Sequence, residues 1–225
     1  MSKCEQCIIS QFNSLKALTR DELMRISGCK TSKYIKKGEL IFEEGETLNG
    51  VYCVKDGICK LSKLSANGKD QIVKLVLKGD LLGQRSLIGD ESANLSATAL
   101  SDMEVCFIPK TEIIGNLQKN SSFSMDVMKQ MAKDLKESDN IIVDMAQKSV
   151  RQRLAETLLY IDTNFGRDDE GFLNVVLSRE DYANIVGTAT ESAIRVLSQF
   201  KKEGLISTTG KQIKIKSKNG LLQME

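Results

Sequence analysis

The spacing of apolar positions changes twice along this 225-residue chain, and each change marks a different kind of element. From about Lys33 to Pro109, short runs of Val, Ile and Leu are cut by Gly38, Gly45, Gly50, Gly57, Gly68, Gly79, Gly83 and Gly89. Turn residues at such regular spacing predict an all-β roll or jelly roll. From Lys110 to about Ala146 there is no proline and one early glycine, and the apolar residues fall into helical register. Met128, Met131, Leu135, Ser138, Ile142 and Met145 follow at intervals of 3, 4, 3, 4 and 3, a heptad stripe narrow enough to want a partner helix. Packing on the chain's own roll would bury the same stripe, so two readings stand: self-association, which is the expectation, and internal packing.

The pattern changes again at Ser178. Ser178 stands three residues before Asp181, a variant capping box, and Tyr182, Ile185 and Val186 give the following helix one buried face. Gly187 ends that helix where a positive φ is cheap. A second helix is predicted from about Thr190 to Glu203, burying Ala193, Val196, Leu197 and Phe200 and leaving Thr190, Glu191, Ile194, Arg195 and Ser198 outward. Leu205-Ile206, a turn at Thr209-Gly210-Lys211 and the alternating Gln212 to Lys216 form a hairpin with one apolar face. Two short helices joined by a tight turn and followed by such a hairpin read as a winged helix-turn-helix.

Its outward chemistry suits DNA. Glu191 can accept from a cytosine amino group, and Arg195, one turn later, can fork onto O6 and N7 of guanine. The same two residues also suit an ordinary (i, i+4) surface ion pair. From Arg195 to Lys218 seven basic residues face one acid, Glu203, on a chain whose formal net charge is only +2. That asymmetry fits a phosphate-facing surface. The expected contacts are Ser178, Arg179, Thr188, Thr190, Glu191, Ser192, Ile194, Arg195, Lys201, Lys211 and Lys214.

Composition narrows the alternatives. Hydrophobic residues make up 41% and charged residues 28%, and Trp and His are absent. Without His, His-based triads, HExxH zinc chemistry and His-ligated haem are closed, and no nucleophile–base pair or phosphate loop can be assembled, so no enzyme is expected. No apolar run approaches the ~20 residues of a membrane span, and no signal peptide opens the chain, so a cytoplasmic protein with reduced thiols is expected.

The order of β-roll, long helix and winged helix-turn-helix resembles the Crp/Fnr superfamily of bacterial transcription regulators over nearly the whole chain. KKGELIFEEGE, VYCVKDGICKL and LKGDLLG place Gly38, Gly45, Gly57, Gly79, Asp80 and Gly83 like the family's turn residues, and GTATESAIRVLSQFKKEGLI resembles its recognition helix, with Glu191 and Arg195 at the base-reading positions. The resemblance implies an α+β fold: an arm over 1–18, a cyclic-nucleotide-binding-type roll over 19–109, a dimerisation helix over 110–147 and a DNA-binding domain over 148–225. It further implies a homodimer on an inverted-repeat operator, with RNA polymerase touched through exposed loops, the Asn67 to Asp70 turn being the candidate. That turn is equally an ordinary polar hairpin turn. Because winged helices also serve as protein-interaction modules, a sensing module acting through protein partners is the rival reading; Glu191, Arg195 and the basic wing argue against it.

Two kinds of signal are weighed on that resemblance. Cyclic-nucleotide binders hold ribose with Gly-Glu and phosphate with an Arg followed by Ser or Ala; here Gly83-Gln84 stands at the first motif, with Arg85 just after it and not at the phosphate position, and Asn94, Leu95, Ser96 and Ala97 stand at the second. Without the phosphate-position Arg the bidentate contact is lost, and cyclic AMP is not expected. CEQCIISQF resembles the cysteine arm of the Fnr branch, implying Cys4, Cys7 and Cys106 as ligands of an iron–sulfur cluster or as thiols of another redox sensor. Asn13 occupies the fourth position, and it is a poor iron ligand. Read without a cluster, Cys106 is a small buried residue of the last strand, and Cys53 and Cys59 pack in the core. The expectation is a cluster that is labile or absent, and a metal-free protein that binds its operator.

Overall fold

A computed structural model describes residues 13–66 and 68–224. They form two compact units, one of residues up to 63 together with 74–137, the other of residues 64–73 together with 138 onward.

The first unit opens with a 3-10 turn, Ser14–Ala17, and helix α1, Arg20–Cys29, closed by a capping box between Thr19 and Glu22. Eight strands follow: β1 Thr31–Ile35, β2 Leu40–Phe42, β3 Gly50–Asp56, β4 Cys59–Leu64, β5 Asp70–Val76, β6 Leu81–Leu82, β7 Ser96–Ala99 and β8 Met103–Pro109, with the short helix α2, Gln84–Gly89, after β6. They make two antiparallel sheets, ordered β1-β8-β3-β6 and β2-β7-β4-β5, so the expected roll is present. Gly38, Gly45, Gly57, Gly68, Gly79 and Gly83 take positive φ as turn residues do, Gly57 at φ 90 where a Cβ would come within 2.6 Å of the Asp102 carbonyl oxygen, whereas Gly50 begins β3 and Gly89 lies in α2.

The sheet containing β3 and β8 is buried on both faces, which is why β3 reads as an unbroken apolar run rather than an alternating one. One face turns Tyr52, Val54 and Val105 toward the second sheet, where Tyr52 stacks against Phe42 and tilts against Phe107. The other turns Val51, Cys53, Cys106 and Ile108 toward a layer that includes Leu15, Leu18, Leu23, Ile26, Ile113, Phe123 and Val127.

The single helix expected over 110–147 is two. Helix α3, Lys110–Lys119, stops at Asn120, and α4 runs from Ser121 to Gln147. Asn120 has extended backbone (φ −116, ψ 98), and its side-chain oxygen accepts from the Phe123 amide, capping α4, while its nitrogen donates to Glu22 and to the Ala17 carbonyl. A polar residue able to serve both ends of a break turns a continuous helical pattern into two helices.

In the second unit, α5, Val150–Phe165, is opened by a capping box between Ser149 and Gln152 and buries Leu154, Ala155, Leu158 and Ile161. Helix α6, Arg179–Val186, carries the expected Ser178–Asp181 box, ends at Gly187 (φ 64), and is followed by α7, Thr190–Lys202. Strands β9, Ile206–Thr209, and β10, Gln212–Ile215, make the wing, and α8, Lys218–Leu222, closes the unit. Tyr182, Ala183, Val186, Ala193, Leu197 and Phe200 are buried between the helices. Val196 and Ile185, expected in that core, are half-buried at its margin, because each lies beside rather than on the facing stripe.

Candidate nucleic-acid interface

Three residues, Gly187, Thr188 and Ala189, separate α6 from α7, and the left-handed Gly187 makes the tight turn possible. The Thr188 amide donates back to the Ala183 carbonyl at 3.0 Å, so the turn closes on hydrogen bonds of its own. A Cβ on Gly187 would meet the Met145 sulfur at 3.1 Å, a second reason for glycine there. Arg153 on α5 fixes the surroundings: its guanidinium donates to the carbonyls of Val186, Met145 and Lys148. Gln71, also in this unit, donates to the Ile185 carbonyl at 3.3 Å. The carbonyls left over at the end of α6 are thereby satisfied by side chains from distant sequence.

Helix α7 is about 20 Å long, enough to lie along a major groove some 12 Å wide. Its outward row is Glu191, Ile194, Arg195 and Ser198, all exposed. Among the described residues neither Glu191 nor Arg195 takes a hydrogen-bond or ion-pair partner, so the two do not form the surface pair that their spacing also allowed. Thr190 and Ser192 are half-buried in the first turn, and Thr188 is half-buried just before it.

The flanks of α7 are built to favour anions. Glu203, the one acid in the basic run, is bound by Arg151, which also stacks its guanidinium 4.9 Å from the centre of the Phe200 ring. That hydrogen bond from Arg151 holds the Glu203 carboxyl below the usual carboxylate range. Lys201 and Lys202 are exposed at the end of α7, where cations also suit the helix dipole. Arg179, at the start of α6, donates through one nitrogen to the Gly210 carbonyl in the wing turn at 3.1 Å. Its other terminal nitrogen is buried without a protein partner. Lys211 is exposed at the wing tip, whereas Lys214 rests its ammonium 4.9 Å from the centre of the Phe172 ring. Ser178 makes the expected cap: its hydroxyl accepts from the Asp181 amide and donates to the Asp181 carboxylate at 2.6 Å.

The residues considered for an effector lie at the start of α2 and at the approach to β7. Gly83 (φ 83) opens α2, Gln84 is half-buried and Arg85 is exposed. Ser96 accepts from the Glu44 amide at 2.9 Å, and Lys63 pairs with Glu44 and donates to the Asn94 carbonyl. Among the described residues no hydrogen bond joins these two groups. Of the thiols, Cys4 and Cys7 lie outside the described residues, as does Asn67 of the loop considered for RNA polymerase. Cys106 is buried in β8, Cys59 is fully buried between the sheets, and Cys29 is exposed. Burial pushes the Cys59 thiol up to about 12, which suits a packing role. Among the described residues no group of three or more Cys, Asp or Glu is placed to hold a metal ion.

The expected α4 stripe divides. Met131 packs partly on the core of the first unit, and Met145 lies against Gly187 in the second. Met128, Leu135 and Ile142 are 54%, 64% and 67% exposed, and Ser138 is exposed with them. No helix among the described residues is long and apolar enough to cross a membrane.

Sequence reasoning missed Arg151, Arg153, Asn120 and Gln71, whose work lies in contacts with residues far away in the chain. Only Asn120 left a local signal, a capping-type residue inside an apolar periodic run.

Residues 32–120 match the model of a cyclic nucleotide-binding domain and residues 152–224 that of a Crp-like helix-turn-helix domain. The chain is 30% identical to the fumarate and nitrate reduction regulatory protein of Vibrio cholerae over 98% of its own length and 89% of that protein. It is 28% identical to the protein of the same name in Escherichia coli, again over 98% and 89%. Among solved structures FixK2 from Bradyrhizobium japonicum is similar, with a TM-score of 0.77 and 25% identity over 86% of this chain and 96% of that one. With its β-roll, its DNA-binding winged helix and these full-length likenesses, the chain belongs to the Crp/Fnr family of transcription regulators.

Proposed function

We propose that this regulator works as a cytoplasmic homodimer that reads an inverted-repeat operator, each α7 entering one of two successive major grooves. The observation that carries the reading is the pairing of Glu191 and Arg195, exposed on α7 and without a partner among the described residues, with an exposed apolar row, Met128, Leu135 and Ile142, on α4. Residues at i, i+7 and i+14 form one seam, and joining two copies along it removes that surface from water. A two-fold axis then repeats α7, so half-sites about one helical turn apart follow. Arg195 reads guanine, Glu191 the neighbouring cytosine, and Ile194 contacts apolar base edges such as the thymine methyl. Arg179, Lys201, Lys211 and Lys214 supply phosphate contacts, Thr188, Thr190 and Ser192 complete the footprint, and RNA polymerase is the expected protein partner.

The first unit receives the signal. Lacking a phosphate-position Arg, with Leu95 there instead and Lys63 already bound to Glu44, it is a poor receptor for cyclic AMP. The relatives named for fumarate and nitrate reduction make a cysteine-based input the one to examine. Selection of bound sequences from random duplexes tests the operator reading. An enriched palindrome whose half-sites contain a G·C pair lost on Arg195→Ala is the expected result; no enriched sequence would overturn it.

A further inference from the structure

Strands β3 and β8 pair antiparallel with Cys53 directly opposite Cys106. The Lys110 amide donates to the Asn49 carbonyl at the mouth of the same ladder, and counting on in steps of two makes Cys53 and Cys106 a hydrogen-bonded pair. Their Cα atoms are then about 5.5 Å apart, within the span that a disulfide bridges, and both side chains stand on one face. That face is turned away from the second sheet and lies among Leu15, Val51, Leu87 and Ile108, where each cysteine is 7% exposed.

Two polar groups reach the sulfurs there. The Asn13 side-chain nitrogen lies 3.5 Å from the Cys53 sulfur while donating to the Gly79 carbonyl at 2.7 Å, and the Ser32 hydroxyl lies 3.9 Å from the Cys106 sulfur. Cys59 differs on both counts: it stands opposite Ala99 and is fully buried between the sheets.

We propose that Cys53 and Cys106 are a two-electron oxidation site, closing to a cross-strand disulfide when a hydroperoxide reaches them. One sulfur, as its thiolate, attacks the O–O bond and becomes a sulfenic acid, while the rest of the peroxide leaves as an alcohol, or as water from hydrogen peroxide. The second sulfur then attacks the first, forming the S–S bond and expelling the hydroxyl as water. Both thiol protons end in those products; the sulfur pair gives up two electrons and the peroxide takes two. Asn13 and Ser32 offer hydrogen bonds to the polar reagent at a place otherwise lined by hydrocarbon.

Register also sets the character of the bond. Cβ atoms of opposed residues are about 4.5–5.5 Å apart and a relaxed disulfide wants about 3.5–4.5 Å, so closure draws the strands together and stores strain. A strained disulfide is readily reduced, which suits a reversible signal in a reducing compartment rather than a structural staple. The site gives the cysteine-based input above a place in the roll, and rests on that reading for its purpose though not for its chemistry.

The test treats the reduced full chain with hydrogen peroxide, alkylates the remaining thiols in denaturant, and maps tryptic peptides by mass spectrometry without reduction. Cys53 falls in peptide 38–55 and Cys106 in peptide 86–110, each the only cysteine of its peptide. The two should be linked in more than about nine-tenths of chains, with Cys59 alkylated, and excess reduced glutathione should reopen the link. In urea, where strand register is lost, the same treatment should spread the links over several cysteine pairs. A folded chain without the 38–55 to 86–110 link, or with Cys106 joined mainly to another cysteine, overturns the proposal. So does a link that excess glutathione leaves closed, or one that forms equally well in urea. The readout is a peptide mass, so a failure to find an inverted-repeat operator leaves the site standing, and a missing link leaves the operator reading standing.

Discussion

Helices α4 and α7 each bury one face and leave the other in water, but the faces left outside are opposite in character. On α7 the outward row is Glu191, Ile194, Arg195 and Ser198, mostly polar groups that water solvates at little cost. On α4 it is Met128, Leu135 and Ile142, apolar groups that water does not. The difference teaches what each face requires. A solvated polar fork is stable alone and gains specificity only when a base edge offers matched donors and acceptors. An apolar row costs free energy until something covers it, so it defines assembly rather than readout.

The largest effect that could break this contrast comes from making the α4 row resemble the α7 row. Leu135→Glu would bury a charge from each copy in the proposed seam, and we expect monomers in sedimentation and a loss of more than about 100-fold in operator affinity, about 2.7 kcal/mol. A variant that stays dimeric and binds normally would remove α4 from the interface. Next in size, Arg195→Ala should cost about 1–3 kcal/mol on the selected operator and nearly nothing on random DNA. Equal losses on both would reduce Arg195 to a phosphate contact.

A smaller change sharpens the α4 side. Asn120→Ala removes the cap that starts α4 and should destabilise the first unit by about 1 kcal/mol in urea titration, with no change in base preference. The smallest effects separate the two wing lysines. Lys211→Ala, at the exposed tip, should weaken specific and random sequences alike and lower the salt slope by about 1. Lys214, already resting on Phe172, should lower it less, as read from binding titrations across salt concentrations.

Much of this architecture is local and so could be read from the chain. Ser178 caps the third residue after it, Gly187 supplies one left-handed residue, and Gln212 to Ile215 alternate because strand side chains do. Such features need only a few neighbouring residues, and the roll, the turn and the wing followed from them. Where local pattern and packing parted, packing prevailed: the stripe from Met128 to Met145 looks uniform in sequence, yet Met131 and Met145 are taken up by the chain itself and their companions are left exposed.

The chain by itself therefore determined the order of elements, their caps and turns, and the chemistry offered along α7, since each depends on backbone preferences and hydrogen bonds spanning one to four residues. Tertiary structure alone decided which of those groups meet. Only the pairing of β3 with β8 sets Cys53 against Cys106, and only the seat of the 3-10 turn brings Asn13 to that sulfur, 40 residues away in sequence. Likewise only the packing of α5 sends Arg153 to three carbonyls at the ends of two other helices. Contacts between residues so far apart have no periodicity and no fixed spacing, because loop lengths and strand register, not neighbouring side chains, determine which residues come within a hydrogen bond's length.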